Sequence, residues 1–417
     1  MDSTDGADER TVTGPPAMFA GVKVVELAQW VFVPVAGALL ADWGAEVLKI
    51  EHPQGGDGYR GLVVPGAGGG DVNYAMEMAN HSKRSVAIDL KTPEGRDVLL
   101  CLIADTDVFL TNYLPSVLER LGLTVEALRA INPRLIYARG HGYGVRGPDA
   151  DRPGYDATAF WARGAVEETL APEGLPHPLP QRGAVGDRYA ATHLAFGIAA
   201  ALFRRSQDGV GSVVDVSLLS TAMWMMGSDL LAAMQGTFRP SAPLGSRRAL
   251  PNPLAANYRC ADDRWLSLVC LQPDKYWSKI CAIVQRPDLE QDARFATTAL
   301  RATHAIDLEA ELAAEFARRP LTEWGPPLND ADIPWAPFQR IDELLDDPQV
   351  EANGYVGSVT RSTGESFPLP AGVVQFDEQT PQMRSAPALG ADTDEVLLAL
   401  GYDWDQIVAL KLSGAIL

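Results

Sequence analysis

Residues 21–51 read GVKVVELAQWVFVPVAGALLADWGAEVLKIE, and this stretch decides the fold class. Val22 to Leu27 is a short run with the β-branched content of a strand. Pro34 to Trp43 is apolar, opens on a proline and is followed by Gly44, the usual punctuation of a helix. Glu46 to Glu51 then returns to strand character. The pattern recurs downstream: strand over Ser85 to Leu90, helix over Pro93 to Ala104, strand over Asp107 to Thr111, helical segments between Pro115 and Ile131, strand over Leu135 to Ala138. Strands alternating with helices predict an α/β domain with a parallel sheet covered on both faces, whose ligands sit beyond the carboxyl ends of the strands. Those ends put a candidate site near Glu51 to Gly58, Asn112 to Pro115 and Gly140 to Gly144.

Further along, Asp156 to Leu170 reads as an apolar helix, Pro172 to Pro180 as a proline-rich loop, and Asp187 to Arg205 as a helix. Val213 to Leu219 reads as a strand leading into an apolar helix over Met223 to Met234. From about Asn252 to Gly325 the character changes to a hairpin around Tyr258 and Trp265 and amphipathic helices over Lys275 to Val284 and Ile306 to Arg318, a smaller α+β domain. The expected division is a disordered tail over 1–17, a large domain over 18–235, a small domain over 236–330, and 331–417 as a return linker and the C-terminal part of the large domain.

With 35 Lys and Arg against 54 Asp and Glu, the net charge of −19 opposes general attraction to nucleic acid or anionic lipid. A polyanionic ligand must meet a local basic patch. The apolar stretch Trp30 to Leu48 is interrupted by Pro34, Asp42, Gly44 and Glu46, too often for a membrane span. The first seventeen residues lack a signal-peptide pattern, so a cytoplasmic location is expected. Cys101, Cys260, Cys270 and Cys281 form no CxxC pair and are expected reduced and buried. No nucleophile elbow, Walker loop or HExxH occurs. The run Gly66 to Gly70 reads as a flexible loop, and six scattered histidines argue against a metal.

Several whole phrases together resemble the family III coenzyme A transferases: Gly21 to Leu27, Leu40 to Glu51, Lys83 to Gly95, Leu121 to Leu123 with Ile131 to Ile136, Val185-Gly186-Asp187, Asp347-Pro348 and Leu389 to Val396. The resemblance implies a Rossmann-like large domain formed from both chain ends, a small domain between them, and two subunits interlocked as rings. It implies Asp187 as a catalytic carboxylate that forms aspartyl anhydride and aspartyl-CoA thioester intermediates. It implies CoA contacts at Val31, His52, Ile88, Asp89, Leu90, Lys91, Asn112, Tyr113, Leu114, Arg120 and the turn His141-Gly142-Tyr143-Gly144. Coenzyme A is then a substrate, passed from an acyl-CoA to a free carboxylic acid, with no tightly bound cofactor and no metal. Lys91 and Arg120 suit the phosphates by charge.

Read without the resemblance, Asp187 before an apolar helix is a helix N-cap, and a carboxylate there is expected to be held ionised by the amides and dipole. Lys91 and Arg120 would be solvated helix-end cations. The racemase branch of the same family has histidine where Tyr155 stands in the substrate pocket, which removes one of its two proton-transfer bases. An acyl-CoA racemase or epimerase and a silent CoA-binding protein are the alternatives to CoA transfer. Met223 to Met226 suit either core packing or a roomy acyl pocket. A glycine-rich loop expected near Leu244 to Asn252 is not found there.

Overall fold

Six strands form one sheet: β1 (Lys23–Leu27), β2 (Glu46–Glu51), β3 (Arg84–Ala87), β4 (Val108–Thr111), β5 (Ile136–His141) and β6 (Val213–Ser217). Their order is β3-β2-β1-β4-β5-β6 and every pairing is parallel. The computed structural model describes residues 17–62, 72–243 and 250–417. Most of the expected N-terminal tail, the Gly66 to Gly70 run and residues 244–249 of the Leu244 to Asn252 segment lie outside them.

The sheet is buried on both sides because successive strand residues point to opposite faces. Val24, Val47, Val108, Leu110, Ile136 and Ala138 pack into one core with helices α1 (Phe32–Asp42) and Val185–Asp208, while Val25, Leu48, Ile50, Val86, Phe109 and Tyr137 pack into the other. Between α1 and that long helix run α2 (Tyr74–Asn80), α3 (Pro93–Ala104), α4 (Pro115–Leu121), α5 (Val125–Ile131) and α6 (Val166–Leu170), so Val185–Asp208 is α7; α8 (Leu218–Met225) and α9 (Gly227–Met234) follow. The chain end returns to this sheet: the Asp392 carboxylate accepts from Ser85 N at 2.8 Å and Thr393 Oγ1 from Ala87 N at 3.0 Å.

Two expected helices are each two pieces. The Asp156 to Leu170 stretch is a π-helical turn, Asp156–Ala162, and then α6, broken at Ala165 with φ 58°. Met223 to Met234 divides between α8 and α9 around Met226, and the strand before it stops at Ser217, whose hydroxyl caps α8.

Contacts divide the chain into two compact units, residues 1–171, 175–241 and 351–417 in one, and 172–174 with 242–350 in the other. The second has its own core around Tyr258, Trp277, Phe295, Phe316 and Trp324. Its antiparallel sheet is β7 (Asn257–Arg259), β8 (Trp265–Leu268) and β9 (Trp335–Pro337). The expected boundary after residue 330 therefore falls inside this unit, since β9 pairs with β8. Cys260, Cys270 and Cys281 are buried here; Cys101, contrary to expectation, is exposed on α3. Among the described residues no helix is long and apolar enough to cross a membrane.

Candidate active site

The strand order reverses between β1 and β4, so the loops leaving these two strands splay apart and open a crevice. Asn112 bridges them: its Nδ2 donates to Gln29 O at 2.6 Å and its Oδ1 accepts from Gln29 N at 3.1 Å. Two cavities flank this bridge along the carboxyl edge of the sheet and share Tyr113 and Val117.

The first, about 440 Å³, is lined by Leu27, Glu51, His52, Ile88 to Lys91, Arg96 and Arg120. Lys91, Arg96 and Arg120 bring three positive charges to one hollow of an acidic chain. None of the three makes an ion pair among the described residues, whereas the nearby Arg60 is tied to Glu51 at 2.6 Å.

The second, about 460 Å³, is lined by Gln29, Trp30, Phe32, Asn112, Tyr113, Leu114, His141, Gly142, Gly154, Tyr155, Leu218 and Asp187. Asp187 reaches it from the first turn of α7, where close packing fixes the backbone. A Cβ on Gly186 would lie 2.2 Å from Phe160 Cγ and 2.5 Å from Asp156 Oδ1, so only glycine permits this approach. Gly142 and Gly154 likewise touch backbone to backbone, a Cβ on Gly142 falling 2.6 Å from Gly154 Cα.

Asp187 does not cap its helix. The N-cap is Ala184, in the left-handed region at φ 62°, and the amides are met by Asp156, whose Oδ1 accepts from Asp187 N at 3.1 Å. The Gly186 and Ala184 backbone also favours the ionised Asp156 carboxylate, and Trp161 Nε1 donates to it at 3.1 Å. The helix terminus is thus neutralised by a different acid, and Asp187 faces that acid. Burial pushes Asp187 up to about 7, the Asp156 charge adds to the rise, and Arg188 opposes it. The expectation that the helix end holds Asp187 ionised is therefore corrected.

Aromatic side chains surround the same space. Trp30 meets Tyr155 edge-on at 5.9 Å between ring centroids and Tyr59 at 6.3 Å. Below them lies a fully buried charge cluster: Lys49 Nζ contacts Asp57 Oδ2 at 2.8 Å and Glu26 Oε1 at 3.2 Å, and Lys83 Nζ contacts Glu26 Oε2 at 2.7 Å. Burial alone lowers the Lys49 pKa, yet Glu26 and Asp57 hold it above its ordinary value. His141 is buried, and neither ring nitrogen has a hydrogen-bond partner among the described residues. Burial, with the Arg139 charge, lowers it to about 4, so the ring is neutral at pH 7.

The structure brings most residues singled out from the sequence to these two hollows. His52, Ile88, Asp89, Leu90, Lys91 and Arg120 line the first; Asn112, Leu114, His141, Gly142, Tyr155 and Asp187 line the second; Tyr113 lines both. Val31 does not line either: it is 6% exposed and belongs to the core at the start of α1, while its neighbours Gln29 and Trp30 form the wall. Tyr143 and Gly144 face a separate pocket of about 300 Å³ that shares His141, with Arg163 stacked on the Tyr143 ring at 4.8 Å. Met223 and Met226 line another hollow beside Phe238.

The family model described as CoA-transferase family III matches residues 19–393. The chain belongs to this family. It is an enzyme of the CoA-transferase class, a family that acts on CoA thioesters. It is 36% identical to (R)-2-hydroxy-4-methylpentanoate CoA-transferase of Clostridioides difficile, over 94% of this chain and 98% of that one. It is 35% identical to cinnamoyl-CoA:phenyllactate CoA-transferase of Clostridium sporogenes, over 94% and 96%. The crystal structure of Rv3272 from Mycobacterium tuberculosis superposes with a TM-score of 0.76 at 28% identity, over 91% of this chain and 99% of that one.

Proposed function

We propose that this family III CoA-transferase moves CoA between carboxylic acids through covalent intermediates on Asp187. The observation that carries the reading is a half-buried carboxylate in the wall of a mainly apolar cavity, adjoining a cavity with three cations that make no ion pair among the described residues. Asp187, ionised, attacks the thioester carbonyl of the donor and expels CoA thiolate, leaving a mixed anhydride. The thiolate attacks the aspartyl carbonyl of that anhydride, releasing the donor acid and forming aspartyl-CoA. The acceptor carboxylate then attacks the aspartyl thioester, again expelling thiolate, which attacks the acceptor's carbonyl in the second anhydride and frees Asp187. Every step conserves an activated acyl bond, and no proton needs to be supplied. A pKa near 7 favours this role: Asp187 is a stronger nucleophile than an ordinary carboxylate while still ionised in good part at neutral pH.

Lys91, Arg96 and Arg120 bind the phosphates of CoA, since only local cations hold a polyanion on a chain of charge −19. The acyl group occupies the cavity of Trp30, Phe32, Leu114, Leu218 and Asp187. Its apolar lining, and the substrates for which the two relatives above are named, favour branched or aryl-substituted acids, 2-hydroxy acids among them. Two copies interlock in the active form. In support, α7 leaves Phe196 and Phe203 exposed on one face, and α8 and α9 leave Trp224, Leu231 and Met234 exposed, an extent of apolar surface that a partner would cover. The decisive assay incubates purified protein with a panel of acyl-CoA donors and free acids and measures all CoA species by mass spectrometry. A new acyl-CoA that depends on the added acid is expected; hydrolysis alone, or α-deuterium incorporation in D2O without transfer, contradicts the reading.

A further inference from the structure

We infer that Trp30 selects bulky acyl groups at the Asp187 site, and that the buried Lys49–Asp57 pair holds it in position. The inference rests on the reading of Asp187 as the group that meets the acyl thioester.

Trp30 has φ 70°, a left-handed conformation that a large side chain adopts only when its surroundings impose it. The surroundings here are identifiable. Asp57 Oδ1 accepts from Trp30 N at 3.0 Å and from Tyr59 N at 2.9 Å. Asp57 Oδ2 is 2.8 Å from Lys49 Nζ, and the same ammonium donates to Ala28 O at 2.9 Å. One fully buried lysine therefore grips the β1–α1 turn on both sides of Gln29, directly at Ala28 and through Asp57 at Trp30. Gly58 completes the seat: a Cβ there would lie 3.1 Å from Cη2 and Cζ2 of the indole.

This scaffolding does more than fill the core: Trp30 packs against the core around Tyr59, yet it is only half-buried and forms part of the wall of the Asp187 cavity. An αL tryptophan, a buried ion pair and a glycine seat all converge on presenting one flat apolar face there. A branched or aryl acyl group packs against that face, with Tyr155 at its edge; an acetyl group is too short to cover it.

The test measures formation of the protein-bound CoA adduct by intact-protein mass spectrometry after rapid quenching, with cinnamoyl-CoA and acetyl-CoA as donors and no acceptor. The wild type is expected to prefer cinnamoyl-CoA by tenfold or more. Whatever uniform loss the substitutions cause, Trp30→Gly should reduce that preference about tenfold, and so should Asp57→Ala, which keeps the indole but releases its anchor. If Asp57→Ala does not fold, Gly58→Ala, which drives a methyl group against the indole, provides the second perturbation. Trp30→Gly should also melt no lower than Trp30→Ala, since glycine tolerates φ 70°. A wild type with no preference, or variants that slow both donors equally, overturns the inference while leaving the Asp187 reading intact. Absence of any adduct on wild-type Asp187 removes that reading and this inference with it.

Discussion

Replacing Asp187 by asparagine should make the protein more stable at pH 8 while it abolishes activity. An aspartate in the unfolded chain ionises near 3.8, and burial beside Asp156 raises Asp187 to about 7. Between those two values the folded state holds a proton that the unfolded state has lost, so stability falls as pH rises, by about 1.36 kcal/mol per pH unit. The penalty is absent below pH 4 and complete above pH 7, at most ~4 kcal/mol. Asp187 is half-buried and partly screened by water, so roughly 2 kcal/mol is the working figure. Asparagine keeps the shape and carries no charge, so it escapes the penalty. Scanning calorimetry at pH 8 should show the transition of the first unit raised by roughly 3–6 °C in Asp187→Asn, with the two proteins coinciding at pH 4. Equal melting at pH 8, or a gain of the same size at both pH values, would refute the assignment of Asp187 as a carboxylate strained by its site.

The same raised pKa sets a pH profile: kcat/KM for the acyl-CoA donor should fall about tenfold per unit below pH 7 and level off above it, and a flat profile from pH 5 to 8 contradicts this. Asp156→Asn removes the neighbouring charge while keeping an acceptor for the α7 amides, so the acid limb should move down by about one pH unit; a limb that stays in place would mean burial alone sets the value. Arg120→Ala and Arg96→Ala should each weaken CoA binding about five- to tenfold in calorimetry, for the loss of ~1 kcal/mol at a solvent-facing phosphate contact, and raise KM more than they lower kcat. Unchanged affinity in both would move the phosphates elsewhere.

The sheet was legible because a parallel strand buried on both faces leaves an almost unbroken apolar run, as in Val24 and Val25, which enter opposite cores. The places where the chain departs from that pattern were harder. Glu26, Lys49 and Lys83 are buried partners drawn from three separate segments in or beside strands, and nothing local in the sequence announces it. Asp187 could be named from the Gly186-Asp187 phrase, whereas its electrostatics depend on Asp156, 31 residues earlier, and so on tertiary packing. The αL conformation of Trp30 left no trace in sequence, because asparagine or glycine is the usual sign of that region. Arg96 was visible only as one more charge near the start of α3 until the fold set it beside Arg120. Val31 shows the reverse case: the family resemblance implied a CoA contact there, and its place at the N-cap of α1 carries it into the core.

The most direct measurement of the central claim is to trap the enzyme during turnover. Wild-type protein incubated with an acyl-CoA donor, then treated with hydroxylamine or borohydride and digested, should carry its modification on the peptide containing Asp187. Asp187→Asn should still bind CoA and remain unlabelled. A label on any other residue, or near-wild-type transfer by the Asp187 variant, would contradict the account.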